Sequence, residues 1–260
     1  MAKIGVRAFP ENVEEVSKLD ADYFEVSVRG SYVKDGNIEV PATDVAAYEK
    51  IKDRVKGIHG SILSHGVNFM NRFRNQLLNV NAIENALSAA DKFGAEYIVF
   101  HPGYIEKGLH GENCNLENLY RIMRSYDDSR ILLEVVPVFA YKERLVFPMH
   151  SVDDYKTLKE RTRKGMVLDI GHAMITARAM HYDPVDYIGR LIEELDIKVI
   201  HVADNDERTD GYEDSHLHVG EGSIPIEEIL KQFKDKIEFA TLEVNDVNSK
   251  DIELVTSWLR

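Results

Sequence analysis

The sequence predicts a (β/α)8 barrel filling residues 1–260 as a single domain, and three observations carry that prediction. Eight short apolar runs recur along the chain, segments of helical periodicity separate them, and 260 residues shared among eight repeats give the size of one βα unit. Most runs are β-branched and nearly continuous rather than alternating, the pattern of strands covered on both faces in a parallel sheet. An open doubly wound sheet is the structural alternative. It usually carries a glycine-rich first turn, and here that turn reads RAFPENVEE.

The first strand is KIGVRA (3–8), followed by the helical segment NVEEVSKL, and the second is YFEVSV (23–28), followed by ATDVAAYEKIKDRV. The third, VKGIHGSI (55–62), leads to NVNAIENALSAADKFG, where Asn81 marks a helix start and Gly94 a stop. The fourth and fifth are YIVFH (97–101) and ILLEVV (131–136), with NLENLYRIMRSY between them and SVDDYKTLKERTRKG after. GMVLDI (165–170) is the sixth, and Asp183-Pro184 opens the following helix DPVDYIGRLIEELD. KVIHVA (198–203), PIEEILKQFKD and FATLEV (239–244) complete the series. No Gly-Ser or Pro-rich linker divides it. The longest interruptions, 137–150 and 204–222, both follow strands, at the end of a barrel where active sites sit.

Composition narrows the function classes. A hydrophobic share of 44% with 30% charged residues is a globular balance that excludes a disordered or collagenous chain. The net charge of −13 argues against a general nucleic-acid coat or a binder of anionic membranes, though not against nucleic acid held at a local cation-bearing site. Cys114, the one cysteine, forms no internal disulfide. With neither a signal-peptide core nor a spanning apolar stretch, the expectation is a soluble, cytoplasmic protein with no membrane partner and no obligate protein partner.

The ionisable residues are placed more informatively than they are counted. His59 lies on the third strand, His101 ends the fourth, Glu134 is on the fifth, and Asp169 ends the sixth with His172 just after. His201 is on the seventh strand, Asp214 and His216 are in its loop, and Glu243 is on the eighth. Six consecutive strand ends thus deliver a histidine or carboxylate to one mouth. A charge inside an apolar strand costs several kcal/mol unless it is paired or bound to metal, so the repetition points to a shared metal site. Mixed imidazole and carboxylate donors suit Zn²⁺, Mn²⁺ or Fe²⁺ better than Ca²⁺ or Mg²⁺. Blander readings exist: Glu134 and Glu243 as an acid/base pair without metal, or Asp169 as a helix cap beside a surface histidine. His65, His110, His150 and His181 read as ordinary loop or helix-start residues, Gly220-Glu221-Gly222 reads as turn geometry, and His218, two residues beyond His216, stays open as a ligand.

Together these motifs resemble the xylose isomerase-like TIM-barrel superfamily, and within it the endonuclease IV branch (AP endonuclease family 2). The resemblance runs from about residue 55 to 245, through HGS at 59–61, FHPG at 100–103, LE at 133–134, LDIGHA at 168–173, IHVAD at 200–204, DSH with GEG at 214–222 and LEVN at 242–245. It implies three zinc ions. His59, His101 and Glu134 would hold one, and Glu134 would bridge to a second bound by Asp169, His201 and Glu243. His172, Asp214 and His216 would hold the third. The implied reaction is hydrolysis of a phosphodiester in DNA repair, at abasic sites, with a centre of two or three ions, and Glu134 and Glu243 central to catalysis. Departures accompany the matches: GVRAF stands where the branch has G-x-H-x-S, Ile62 where it has a tyrosine, and RGSYVKDGN, with Arg29, Tyr32 and Lys34, where it has a DNA-inserting loop. The alternative within the superfamily is a sugar isomerase or epimerase. There Glu134, Asp169, His201 and Glu243 would hold one metal and the two glutamates would move a proton next to a carbonyl.

Overall fold

The computed structural model describes residues 1–29, 32–34, 37–39, 44–108, 113–140, 144–206 and 214–260. The eight apolar runs are strands: β1 (Lys3–Ala8), β2 (Tyr23–Ser27), β3 (Val55–His59), β4 (Tyr97–Phe100), β5 (Ile131–Val135), β6 (Gly165–Asp169), β7 (Val199–Val202) and β8 (Phe239–Leu242). Each pairs in parallel with its sequence neighbour, and β8 closes on β1 with Ile4 opposite Ala240, so the sheet has no free edge. Their C-terminal ends therefore form one rim.

The intervening helices are α1 (Val13–Val16), α2 (Arg72–Phe93), α3 (Leu116–Arg124), α4 (Val152–Thr162), α5 (Ile170–Ala179), α6 (Pro184–Glu194), α7 (Ile226–Phe233) and α8 (Ser249–Leu259). Asn115, Ser151, Asp183 and Asn248 cap α3, α4, α6 and α8 by accepting from main-chain N–H groups, and Pro184 occupies the first turn of α6. The main core lies between the strands' outer faces and these helices. A second apolar cluster of Tyr23, Tyr97, Val99, Val167, Val199 and Phe239 fills the barrel interior below the rim. Two glycines make room for its rings. A Cβ on Gly5 would fall 2.2 Å from Tyr23 Cζ, and one on Gly57 would fall 2.4 Å from Tyr97 Cζ.

Several elements differ from expectation. Asn81 does not start α2: the helix begins nine residues earlier at Arg72, because RFRNQLLN contains neither Gly nor Pro and continues the buried face of Leu78, Ala82, Ile83 and Ala86. Gly94, at φ +66°, does end it. Residues Asp44–Arg54 form 3-10 turns rather than an α-helix, with the buried Tyr48 and Ile51 three positions apart, as that geometry requires. Helices α5 and α8, a hairpin of Tyr32–Lys34 with Asn37–Glu39, and a three-stranded sheet from the β4 and β5 loops (Ile105–Glu106, Phe139–Ala140, Leu145–Val146) add to the predicted elements. Among the described residues, no helix is long and apolar enough to cross a membrane.

Candidate metal centre

All nine predicted residues come together at the rim, each within 4.0 Å of another. Glu134, wholly buried on β5, is the hub. Its Oε2 lies 3.3 Å from His59 Nε2 and 3.1 Å from His101 Nε2, while its Oε1 lies 3.0 Å from His172 Nδ1 and 3.8 Å from His201 Nδ1. Glu243, just past β8, brings Oε1 to 3.1 Å from His201 Nδ1 and 4.0 Å from His59 Nε2. Asp169 ends β6 and caps α5, accepting from His172 N at 2.7 Å. The cap reading of Asp169 is therefore correct, but its histidine is buried against Glu134 rather than on the surface.

Three sets of donor atoms lie mutually within 4.8 Å: His59, His101 and Glu134; Glu134, Asp169 and His201; and Glu25, His59, His201 and Glu243. The set His172, Asp214 and His216 is looser. Both imidazoles approach Asp214 Oδ2 through Nε2, at 3.1 and 2.7 Å, but this set is not among the three that close to 4.8 Å.

The histidines are held as metal ligands usually are, with one ring nitrogen anchored and the other presented to the cluster. His59 donates Nδ1–H to Gly60 O (3.0 Å), His172 to Val135 O (3.2 Å) and His216 to Glu243 O (2.5 Å). Four buried atoms, Glu25 Oε1, Glu134 Oε1, Asp169 Oδ2 and His201 Nδ1, have no hydrogen-bond partner among the described residues. His172 Nδ1, 3.0 Å from Glu134 Oε1, does not meet it at a hydrogen-bonding angle, and His201 Nδ1 at 3.8 Å is too far. Buried polar atoms without partners are costly, and a cation is what this donor set would satisfy.

Burial opposes charge on every group here, and its balance against the neighbouring charges decides each outcome. At Glu134, burial raises the carboxyl, but His101, His172 and His201 together outweigh it and hold the group well below the usual carboxylate range. At Glu243, Arg7 and then His201 outweigh burial and bring it down to about 2. At Asp169, burial prevails over His172, reinforced by Asp214, Glu134 and Glu243, and the carboxyl is pushed up to about 6. His172 and His201 are held well above the ordinary imidazole value despite burial, His172 by Asp169 and Asp214, His201 by Glu243 and Glu25. His59 is lowered by burial and by Arg7.

Two residues of this network escape the sequence reading. Arg7 on β1, in the GVRAF segment, donates from Nη1 to Glu243 Oε1 and from Nε to Ser27 Oγ (3.2 Å). Glu25 on β2 is wholly buried one pleat below the rim and accepts from His201 Nε2 at 3.1 Å. The signal that flags Glu134 was present for it too: a carboxylate inside an apolar strand, YFEVS. Asp204 and Asn205 shape the loop behind the site. Asp204 accepts from the main chain at Asn205, Gly220 and Ile224, and Asn205 accepts from Ser215 N and His216 N. A Cβ on Gly222 would fall 2.3 Å from Asp204 Oδ1, so this part of the GEG turn is needed for close approach.

The remaining candidates lie elsewhere. His216 adopts φ +48°, so the backbone is not extended there, and His218 turns away to pair with Asp251 at 2.9 Å. His65 accepts from Ile62 N and His150 meets Tyr182 OH, as ordinary structural residues do. Cys114 is buried, its thiol donating to Tyr104 O. Arg29 pairs with Glu11 at 2.6 Å. The side chains of Tyr32 and Lys34, and His110, lie outside the described residues.

A closed eight-stranded parallel barrel whose rim gathers histidines and carboxylates defines the class: a TIM barrel bearing a candidate metal centre. The chain belongs to the xylose isomerase-like TIM barrel family, whose model matches residues 13–259. A relative named "Probable endonuclease 4", from Halothermothrix orenii, is 28% identical over 236 residues, spanning 80% of this chain and 81% of its own. Among solved structures, a D-tagatose 3-epimerase-like protein matches with a TM-score of 0.71 at 22% identity, covering 99% of this chain and 97% of that one. Endonuclease IV from Thermus thermophilus matches with a TM-score of 0.67 at 19% identity, covering 99% and 98%. These two likenesses establish the fold.

Proposed function

We propose that this protein is a divalent-metal-dependent hydrolase of phosphodiesters, acting on DNA at abasic sites through a centre of two or three ions, zinc above all. The observation that carries the reading is the division of Glu134. One oxygen faces His59 and His101 of one donor set and the other faces His201 of a second, the arrangement of a carboxylate shared by two metal sites. On this reading His59, His101 and Glu134 hold one ion, and Glu134, Asp169, His201 and Glu243 a second. His172, Asp214 and His216 are the place for a third. Bound there, the cations supply Lewis acidity toward phosphate oxygens and make a water molecule easier to ionise. The chain's own groups do the rest. The anchored imidazoles of His59, His172 and His216 keep their lone pairs aimed inward, and Arg7 keeps Glu243 ionised at neutral pH. The local cations also provide the positive potential for a DNA backbone that a chain of charge −13 lacks.

One observation favours the isomerase or epimerase reading. Glu134 and Glu243 both face His201 Nδ1, at 3.8 and 3.1 Å, so two carboxylates flank one metal position and are suited to moving a proton beside a carbonyl. The readings separate experimentally. Metal per chain is counted by elemental analysis, and turnover of abasic-site duplex DNA is measured beside a panel of keto- and aldo-sugars at matched metal content. Cleavage of the duplex with two or more ions bound is the expected result. In that case Asp214→Ala with His216→Ala should remove about one ion and slow cleavage at least ~10²-fold. Sugar turnover with one metal per chain and no DNA cleavage would replace the first reading by the second.

A further inference from the structure

His201 is the odd member of the cluster. His59, His172 and His216 each donate Nδ1–H to a main-chain carbonyl, and His59 and His216 turn Nε2 to the cluster's carboxylates, as His172 does to Asp214. In His201 the ring is reversed. Nε2 lies 3.1 Å from Glu25 Oε2, and Nδ1 faces Glu243 and Glu134 with no hydrogen bond of its own. The partner that reverses it comes from across the barrel, from β2, and is an ionisable side chain with no exposed surface.

We propose that Glu25 is a positioning residue: it fixes His201 in the Nε2–H form and so makes Nδ1 the atom that meets the metal. The inference rests on the metal-centre reading above. An ionised carboxylate accepts and never donates, so a hydrogen bond between it and Nε2 requires the proton on Nε2, and once the ring is neutral, as a metal ligand must be, the lone pair is on Nδ1. Glu25 is itself held. Tyr97 OH donates to the same oxygen at 2.8 Å and Thr241 Oγ1 at 3.2 Å, while Thr241 meets Tyr23 OH at 2.7 Å. Three donors from three strands converge on one buried oxygen, at a desolvation cost of several kcal/mol that a merely structural position would avoid with an apolar residue. A carboxylate behind a ligand histidine also raises its basicity and stops its ring from rotating. The unpartnered Glu25 Oε1 presents the rival arrangement, with Glu25 as a direct ligand in the set of Glu25, His59, His201 and Glu243. If His201 joined that set through Nε2, the nitrogen nearest Glu25, it could not keep its proton for Glu25.

The test uses the full chain loaded with zinc and labelled with ¹⁵N-histidine. Long-range ¹H–¹⁵N spectra read the state of each ring nitrogen, and the His201 signals are those lost in His201→Gln. The expected result is zinc on Nδ1 and a proton on Nε2 of His201, with the opposite pattern at His59 and His216. Competition with a chelator should then show Glu25→Gln weakening one bound zinc by about 10- to 100-fold, the range typical of lost outer-shell partners. The wild-type spectrum needs no variant to fold, and melting of metal-free Glu25→Gln checks that variant's fold. Zinc on Nε2 of His201, or wild-type zinc affinity in a folded Glu25→Gln, overturns the inference alone. A wild-type chain that takes up no divalent metal overturns the metal-centre reading and this inference with it.

Discussion

Glu134→Gln is the sharpest single perturbation of this molecule, because it keeps the size of the hub and removes its charge. Each oxygen of Glu134 serves a different pair of imidazoles, at 3.3 and 3.1 Å on one side and 3.0 and 3.8 Å on the other. If the carboxylate is shared, both neighbouring ions lose an anionic ligand at once. Loss of an outer-shell partner alone weakens a metal by about 10- to 100-fold, so loss of a direct anionic ligand should cost each site at least ~10²-fold, or about 2.7 kcal/mol apiece. Two ions should therefore go together under zinc buffering that leaves the wild type loaded. His101→Gln, confined to one set, should lose only one. The assay is equilibrium dialysis against chelator-buffered zinc followed by elemental analysis, with a circular dichroism melt of the metal-free variants as a control for folding. A Glu134→Gln chain that keeps its full metal content, or loses one ion only, would refute the shared-ligand argument.

Other perturbations test the electrostatics and the scaffold. Metal affinity should rise with pH, with more than one proton displaced per ion at about pH 5–7: His172 and His201, held above the ordinary value, must each lose a proton, and Asp169, at about 6, must be ionised. A pH-independent zinc competition curve would contradict this. Arg7→Met removes the cation that depresses Glu243. A carboxyl brought down to about 2 from its ordinary 4.5 contributes stability that is full above 4.5 and lost as pH falls toward 2. Melts of the metal-free variant should thus show a deficit of about 3–5 kcal/mol near neutrality that narrows through that acid range. Gly57→Ala places a methyl group 2.4 Å from Tyr97 Cζ and should cost ~1–3 kcal/mol by overpacking, a fall of about 2–4 °C in Tm per kcal/mol. Because Tyr97 OH holds Glu25, zinc affinity should fall as well.

The barrel was legible because its signals are local and repeated: eight buried runs, caps such as Asp183-Pro184, and the stop at Gly94. The rim was legible for a different reason. A charge in an apolar strand is conspicuous, and strand-end position alone places it at the mouth. What stayed hidden depends on partners distant in the chain. Arg7 contacts Glu243 across 236 positions and Glu25 contacts His201 across 176, so nothing near either residue announces the pairing. The start of α2 is not legible because an asparagine that looks like a cap is indistinguishable in sequence from one inside a helix, and only the buried face of Leu78 and Ala82 settles it. His218 lay open for a similar reason: the left-handed backbone at His216 breaks the alternation that would have turned both rings the same way.

Charge balance links the number of metals to the kind of substrate. Glu134, Asp169, Asp214 and Glu243 contribute four negative charges to the cluster, and the half-buried Arg7 offsets the buried Glu25. In the metal-free chain the raised values of His172, His201 and His216 mean that protons occupy part of that deficit, which is why burial does not strip them of charge. Two divalent cations neutralise the four carboxylates. A third leaves an excess of two positive charges at the rim, where Asp214 and His216 are only half-buried, and incoming anions would offset it. A phosphodiester supplies one of them and an ionised water the other. A neutral sugar supplies neither. The looser geometry of His172, Asp214 and His216 fits such a conditional site, since donors that close to 4.8 Å only when an ion and an anion arrive together need not be packed in advance. On electrostatic grounds, the same nine residues therefore favour one or two metals with a sugar, and three with a phosphodiester.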